Sequence, residues 1–292
     1  DDCLPWSNAA ISGWILDPDR KKMSKSKGNV VTPMDLLDEY SSDAVRYWAA
    51  SGRPGTDTAF DIGQMKIGRR LAIKVLNASK FVLSMGVVDD VSAITRPLDL
   101  SMLAMLRDVV DRATQTLENY NYARALELAE SFFWTFTDDY VELVKERAYG
   151  GQGEQAGASA KAALSLALSV QLRLFAPFLP FTTEEVWSWV NDSSIHRASW
   201  PQVEEFSALP EGDPGVLEAT GRALSGVRKV KSEQKVSMRA RVSSATISGP
   251  GADIERIRQA LEDLAAAGNI EGMNVTDGSK TLQVEAELAP VE

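Results

Sequence analysis

Three lysines and two serines crowd the eight residues Lys22-Met23-Ser24-Lys25-Ser26-Lys27-Gly28-Asn29. Each ammonium is a mobile point charge with three donors, Ser24 and Ser26 add hydroxyl donors, and Gly28 opens backbone conformations that side chains resist. Such a loop suits a polyanion, and a triphosphate is its natural guest. The chemistry on offer is electrostatic: preorganised cations lower a barrier when negative charge builds on phosphate oxygens. Met23 reads as an apolar anchor for the loop rather than as a reactive group. A Lys/Ser cluster taken alone is most often a solvated basic turn, so the flanking elements must carry the case.

Those elements are mainly helical. Ile11 to Leu16 forms a short strand-like segment before the Asp17-Pro18-Asp19 turn and looks like the last edge of a larger fold. After the loop, Thr32 at an N-cap, Pro33 at the first position and Asp35 in the first turn predict a helix through Tyr40, and Ser42 to Ala50 a second short one. Long amphipathic helices are then expected at about 63–85, 99–118, 122–149 and 158–175, with a further turn of helix opening at Thr182 after Pro177 and Pro180. Their apolar positions and short connections make a bundle. Residues 204–215 read as a linker and 216–231 as a helix. Segments 236–247, 253–267 and 281–288 follow as strand, helix and strand, a small α/β module.

Composition bounds the rest. With 292 residues, 44% of them hydrophobic and 25% charged, the chain can bury two or three cores and is ordinary for a globular protein. A single Cys, Cys3, and a single His, His196, exclude a disulfide within the chain and a Cys/His zinc site; no metal ligands are assigned. A reducing, cytoplasmic compartment is expected, with no membrane association, and a monomer. Within these residues no signal peptide is expected, and there is no apolar run of transmembrane length. The first residue is not Met, so the chain reads as an excised piece. A net charge of −10 argues against indiscriminate nucleic-acid binding but leaves room for local basic faces. Two are candidates: Lys66, Arg70 and Lys74 along one face of a helix, with Arg69 beside them and Lys80 beyond, and the denser run Arg222, Arg228, Lys229, Lys231, Lys235, Arg239 and Arg241. Phosphate backbone is their natural partner, and Lys66, Arg70, Lys74, Arg228, Lys229 and Lys231 are the candidate RNA contacts.

Lys22 to Ser26 match all five positions of the KMSKS signature of class I aminoacyl-tRNA synthetases, and Lys27-Gly28-Asn29 continue it. Further segments resemble valyl-tRNA synthetase: Trp6-Ser7-Asn8, Gly13-Trp14, Ser51-Gly52-Arg53-Pro54-Gly55-Thr56-Asp57, Asn77-Ala78-Ser79-Lys80-Phe81, Phe178 to Trp187, Ser194-Ile195-His196 and Trp200-Pro201. The Pro-Gly-Thr-Asp segment favours valyl over its isoleucyl, leucyl and methionyl relatives. The resemblance implies ATP-dependent activation of valine and its transfer to tRNA(Val). Lys25 holds the place of the lysine that contacts the ATP phosphates, so it is the catalytic candidate, and Lys22, Met23, Ser24, Lys25 and Ser26 form the ATP-binding set. ATP with Mg is implied as a substrate complex of the full-length enzyme, none being bound by this piece. The implied fold is the end of a Rossmann-like catalytic domain with the loop and its connecting helices (1–62), a helical-bundle anticodon-binding domain (63–205), and a linker helix with a small C-terminal α/β domain (206–292).

The sequence departs from that pattern in two ways. No HIGH signature and no editing domain are present, so this chain keeps one side of an ATP site and no aminoacylation is expected from it alone. The last 80 or so residues lack the sustained heptads of a coiled-coil arm. A noncatalytic tRNA-binding module and an isoleucyl- or leucyl-type relative remain the alternatives. His196 reads as a packed, hydrogen-bonded residue at the end of the bundle, and Trp187, Trp189 and Trp200 more as buried aromatics than as platforms for anticodon bases.

Overall fold

A computed structural model describes residues 5–290, so Cys3 and Leu4 lie outside the described residues. The chain divides into two compact units, Asp1–Phe81 with Val109–Ser131 and Ser169–Gln202, and Val82–Asp108 with Phe132–Leu168 and Val203–Glu292.

In the first unit, a two-residue strand β1 (Ile15–Leu16) precedes the basic loop, followed by α1 (Pro33–Tyr40), α2 (Ser42–Ala50) and a second short strand β2 (Thr58–Ala59) that pairs parallel with β1. Pro33 at the first helical position starts α1, and Ser41, at a φ of 85°, separates it from α2. Tyr40, Ala44 and Met65 close a small core, with Leu36, Val45, Trp48 and Phe60 packed on it. Trp48 and Phe60 meet edge to face at 5.8 Å, and the Trp48 indole donates to Ala59 O at 3.3 Å, so β2 is held from behind. α3 (Ile62–Ser84) buries Met65, Gly68, Leu71, Ala72, Val75, Ser79 and Val82, a stripe at spacings of three and four. Gly68 is needed in that stripe, since a Cβ there would come within 2.7 Å of the Tyr47 ring.

Two contacts fasten the short helices to this unit. The Asp43 carboxylate accepts from Phe181 N and Thr182 N and from the Thr182 hydroxyl, capping the first turn of α8 (Pro180–Ser188). Tyr47 Oη donates to Glu130 Oε2 at 2.7 Å on α5 (Tyr122–Thr135), and burial followed by that carboxylate pushes the phenol well above its ordinary pKa.

The second unit contains α6 (Val141–Ala148), α9 (Pro214–Glu233) and the C-terminal module, and it shares its other long helices, α4 (Pro97–Glu118) and α7 (Glu154–Phe175), with the division above. Its centre is polar. Arg147, 1% exposed, makes a bidentate pair with Asp99 (Nη1–Oδ2 and Nη2–Oδ1, both 2.8 Å), bonds Asp263 through Nε at 2.9 Å and Nη2 at 3.2 Å, and donates to Ala156 O. Tyr140 Oη and Ser159 Oγ also donate to Asp99, and the Gln152 amide donates to Asp263. Burial disfavours the charged guanidinium, but the bonds and charges of Asp99 and Asp263 outweigh it and hold Arg147 above its ordinary value.

The helix expected at 122–149 is real but not uniform: between α5 and α6, residues Phe136–Tyr140 form a π-helical turn, which presents Tyr140 to Asp99. The C-terminal module is richer than strand, helix, strand. β3 is Val242–Gly249, with 236–241 outside it, and the helix expected at 253–267 is two, α10 (Gly251–Arg258) and α11 (Leu261–Gly268), broken at Ala260 where φ is −134°. A strand that periodicity missed, β4 (Ile270–Asp277), then pairs parallel with β3 from Val242↔Ile270 to Gly249↔Asp277. β5 (Gln283–Leu288) pairs antiparallel on the other side, giving the order β4-β3-β5. Gly272 and Asn274 are depleted in strands, which is why β4 carried little signal.

Candidate functional site

The basic loop springs from β1 and returns to α1. Residues 11–16 lie along 55–60: Gly55 N donates to Ile11 O, Thr58 N to Trp14 O and Phe60 N to Leu16 O at 2.7 to 2.9 Å, and Trp14 N donates to Asp57 Oδ1 at 2.8 Å. Gly13 permits this approach, for a Cβ there would lie 2.1 Å from Thr56 O. Beyond Leu16 the chain doubles back. Asp17 N donates to Lys21 O, Arg20 N to Asp17 O and Lys21 N to Asp17 Oδ1, and Leu16 bridges Lys22 antiparallel.

Asn29 ties both ends of the loop. Its amide nitrogen donates to Asp17 Oδ2 at 2.7 Å and to Lys22 O at 3.2 Å, while its oxygen accepts from Ser24 N at 2.9 Å. Asp17 is 6% exposed, and the Asn29 amide, then the Lys21 amide, hold its carboxyl below the ordinary range. Above this base the tip is a single 3-10 turn, Lys25–Lys27, closed by Gly28 at φ 67° with Gly28 N on Lys25 O. The hydroxyls of Ser24 and Ser26 share a hydrogen bond of 2.7 Å. Lys22 Nζ sits 4.4 Å from the centre of the Trp14 ring, a cation–π contact. Met23 is half-buried, as an anchor would be, whereas Lys25 and Lys27 are exposed and, among the described residues, pair with no carboxylate.

The structure therefore brings Lys22, Ser24 and Ser26 into one hydrogen-bonded loop and leaves Lys25 and Lys27 facing solvent. Neither Asp17 nor Asn29 was assigned a role from sequence. In sequence Asp17 reads as a turn residue, and no local pattern marks a side-chain bond across twelve positions.

The two basic faces differ. On α3, Lys66, Arg69 and Arg70 line an open depression of about 410 Å³ with Glu39, Tyr40 and Ile73. Arg69 donates to Glu39 O at 2.7 Å, and Lys74 is half-buried and engaged within the protein. On α9 and just beyond it, most of the dense run is engaged, Lys235 and Arg239 staying exposed. Lys231 is 1% exposed and donates to Met238 O at 3.0 Å and Gly268 O at 2.7 Å; burial lowers its pKa. The tRNA contact expected of Lys231 is thereby corrected: the ammonium holds the module together from inside. Arg228 donates to Asp138 O, Lys229 lies 3.9 Å from Glu233, Arg222 pairs with Asp253 at 2.9 Å and Arg241 with Glu271. Arg228 remains partly exposed and Lys229 exposed.

At the α8 end, His196 Nε2 donates to Pro180 O at 3.1 Å, the hydrogen bond expected from sequence, but its ring is exposed rather than packed. Trp200 Nε1 donates to Thr114 Oγ1, and Trp189, partly exposed, donates to Glu185.

Residues 99–246 match the anticodon-binding domain of tRNA ligases, and residues 2–61 match the class I tRNA synthetases of the isoleucine, leucine, methionine and valine group. The chain belongs to this tRNA ligase family. Its similarity to curated tRNA ligases extends along the whole sequence. It is 62% identical to the valine–tRNA ligase of Thermobifida fusca, covering 100% of this chain and 33% of that protein. The corresponding ligase of Salinispora tropica is 52% identical over 98% of the chain and 36% of its own length, and that of Cutibacterium acnes 53% over 98% and 33%. The chain thus spans about a third of the length of these tRNA ligases. Among solved structures, a LeuRS of Agrobacterium radiobacter in ternary complex with tRNA and LeuAMS superposes with a TM-score of 0.51 at 24% identity, covering 66% of this chain and 24% of that one, a likeness of fold. No helix among the described residues is long and apolar enough to cross a membrane.

Proposed function

We propose that this chain is the KMSKS-loop and anticodon-binding part of a valine–tRNA ligase. The 62% identity to a valine–tRNA ligase along the full chain carries that reading, and the exposed cations at the loop tip supply its chemistry. In the first step an oxygen of the valine carboxylate bonds to the α-phosphorus of ATP while the bond from that phosphorus to the bridging oxygen breaks. The electron pair leaves on pyrophosphate. Lys25, exposed on a turn fixed by Gly28, meets that developing charge. Lys27 adds a second cation, while Ser24 and Ser26 shape the turn through their mutual bond. In the second step a terminal ribose hydroxyl of tRNA(Val) attacks the adenylate carbonyl and AMP departs.

Residues 1–62 are then the end of the catalytic domain, 63–205 the anticodon-binding bundle and 206–292 the linker helix with its α/β module. Lys66 and Arg70 are the foremost candidates for phosphate contacts, with Lys74, Arg228 and Lys229 in support. ATP enters as its magnesium complex, and the whole enzyme is in this reading a cytoplasmic monomer. The test is a chimera in which this chain replaces the matching third of the Thermobifida fusca ligase. Valine-dependent ATP–pyrophosphate exchange should be retained, and isoleucine and leucine should support far less. A folded chimera that prefers either of those, or that activates no amino acid, contradicts the reading.

A further inference from the structure

We infer that Asp17 and Asn29 are positioning residues of the loop, a clasp that fixes its base so that Lys25 is presented in one geometry. The inference rests on the reading of the loop as a pyrophosphate-binding element. Asn29 is the only side chain that reaches three points of the loop among the described contacts: the stem at Asp17, the backbone at Lys22 O and the turn at Ser24 N. An amide supplies two donors and an acceptor together, as these three bonds require; a hydroxyl has one donor, a carboxylate none, and an ammonium no acceptor. Asp17 is itself fixed. Lys21 N bonds its second oxygen at 2.7 Å, and it adjoins β1, whose partner β2 is backed by Trp48.

The charge state of Asp17 fits the same role. Its carboxylate receives both donors as a charged acceptor, and so makes stronger bonds than a neutral group would. The tip has no comparable anchor: its own bonds are Lys27 N to Ser24 O, Gly28 N to Lys25 O and the Ser24–Ser26 pair. Stiffness sits at the base and exposure at the tip. A misplacement of about 1 Å in a group that must meet developing charge can cost on the order of 10²-fold in rate, so the clasp governs turnover without touching substrate.

The test uses isosteric changes. Asn29→Asp removes the donor and sets two carboxylates face to face, and Asp17→Asn sets two amide nitrogens competing for one acceptor. The reversed pair, Asp17→Asn with Asn29→Asp, restores one donor and one acceptor across the same gap. In the chimera each single change should lower kcat for pyrophosphate exchange by about 10- to 10²-fold with KM for valine unchanged, and the reversed pair should recover part of that loss, the donor to Lys22 O staying absent. In the chain by itself, amide hydrogen exchange at Ser24 should quicken in each single variant and slow again in the reversed pair. Lys25→Ala separates this inference from the reading beneath it. If Lys25→Ala cripples exchange while Asn29→Asp does not, the clasp is overturned and the loop keeps its role; if Lys25→Ala is silent, the reading of the loop fails. A reversed pair as impaired as the single variants, or Ser24 exchange indifferent to all three, also overturns the clasp.

Discussion

The loop and the Arg147 cluster use the same currency, charge on flexible side chains, to opposite ends. At Arg147 the guanidinium is enclosed and its donors are taken by Asp99, Asp263 and Ala156 O. At the loop, Lys25 and Lys27 are exposed with no carboxylate beside them, and hydrogen bonding is confined to the base. A saturated cation can only support structure; an unsaturated one is available to a ligand. Lys231 belongs with Arg147 by this criterion, although its position in a run of basic residues grouped it with candidate tRNA contacts.

The contrast predicts that stability and activity separate. Arg147→Met leaves Asp99 and Asp263 buried without their cation, and breaking a buried pair in this way costs about 3–5 kcal/mol, which a denaturant melt of the chain would register as a large drop in midpoint. Lys25→Ala in the same melt should stay within about 0.5 kcal/mol. Comparable losses for both would erase the distinction.

Within the α9 run the split should recur on a smaller scale. Lys231→Ala strips the carbonyls of Met238 and Gly268 of a buried donor, a loss of about 1–3 kcal/mol, whereas Lys229→Ala, whose exposed partner is Glu233, should be almost neutral. A stable Lys231→Ala protein with weakened tRNA binding would return Lys231 to the interface.

Salt dependence sharpens the division between engaged and available cations further. If Lys66 and Arg70 meet phosphate, replacing each by Ala should flatten the slope of log affinity for tRNA against log salt by roughly 0.7 to 0.9. Lys74, already engaged, should change it less, and Lys161, on α7 and in neither basic run, not at all. Uniform slopes would make the α3 face a solvated one. The smallest effect concerns pH. Because Asp17 titrates below the ordinary aspartate value, its contribution to the loop is full above that value and is lost only as pH falls through the lowered one. Ser24 amide protection should therefore persist into acid and then fade, and in Asp17→Asn it should start low and show no such step.

How much of this was legible in the sequence depended on whether the signal was local. α1 and α2 run from Pro33 to Tyr40 and from Ser42 to Ala50 as expected, since a proline at the first turn and a capping position are written in adjacent residues. The loop motif was equally plain. The π turn at Phe136–Tyr140 was not, because one extra residue in a turn leaves the apolar pattern almost unchanged over a long helix. β4 was missed for its Gly and Asn, and the burial of Lys231 because only the fold brings Gly268 and Met238 to its ammonium. The Asp17–Asn29 bond was hidden for the same reason.

Valine-dependent ATP–pyrophosphate exchange by the chimera carrying Lys25→Ala tests the account most directly. Loss of one preorganised donor at the departing pyrophosphate predicts a fall in kcat of about 10²- to 10³-fold with KM for valine and the melting midpoint unchanged. An exchange rate equal to that of the unsubstituted chimera would contradict the account.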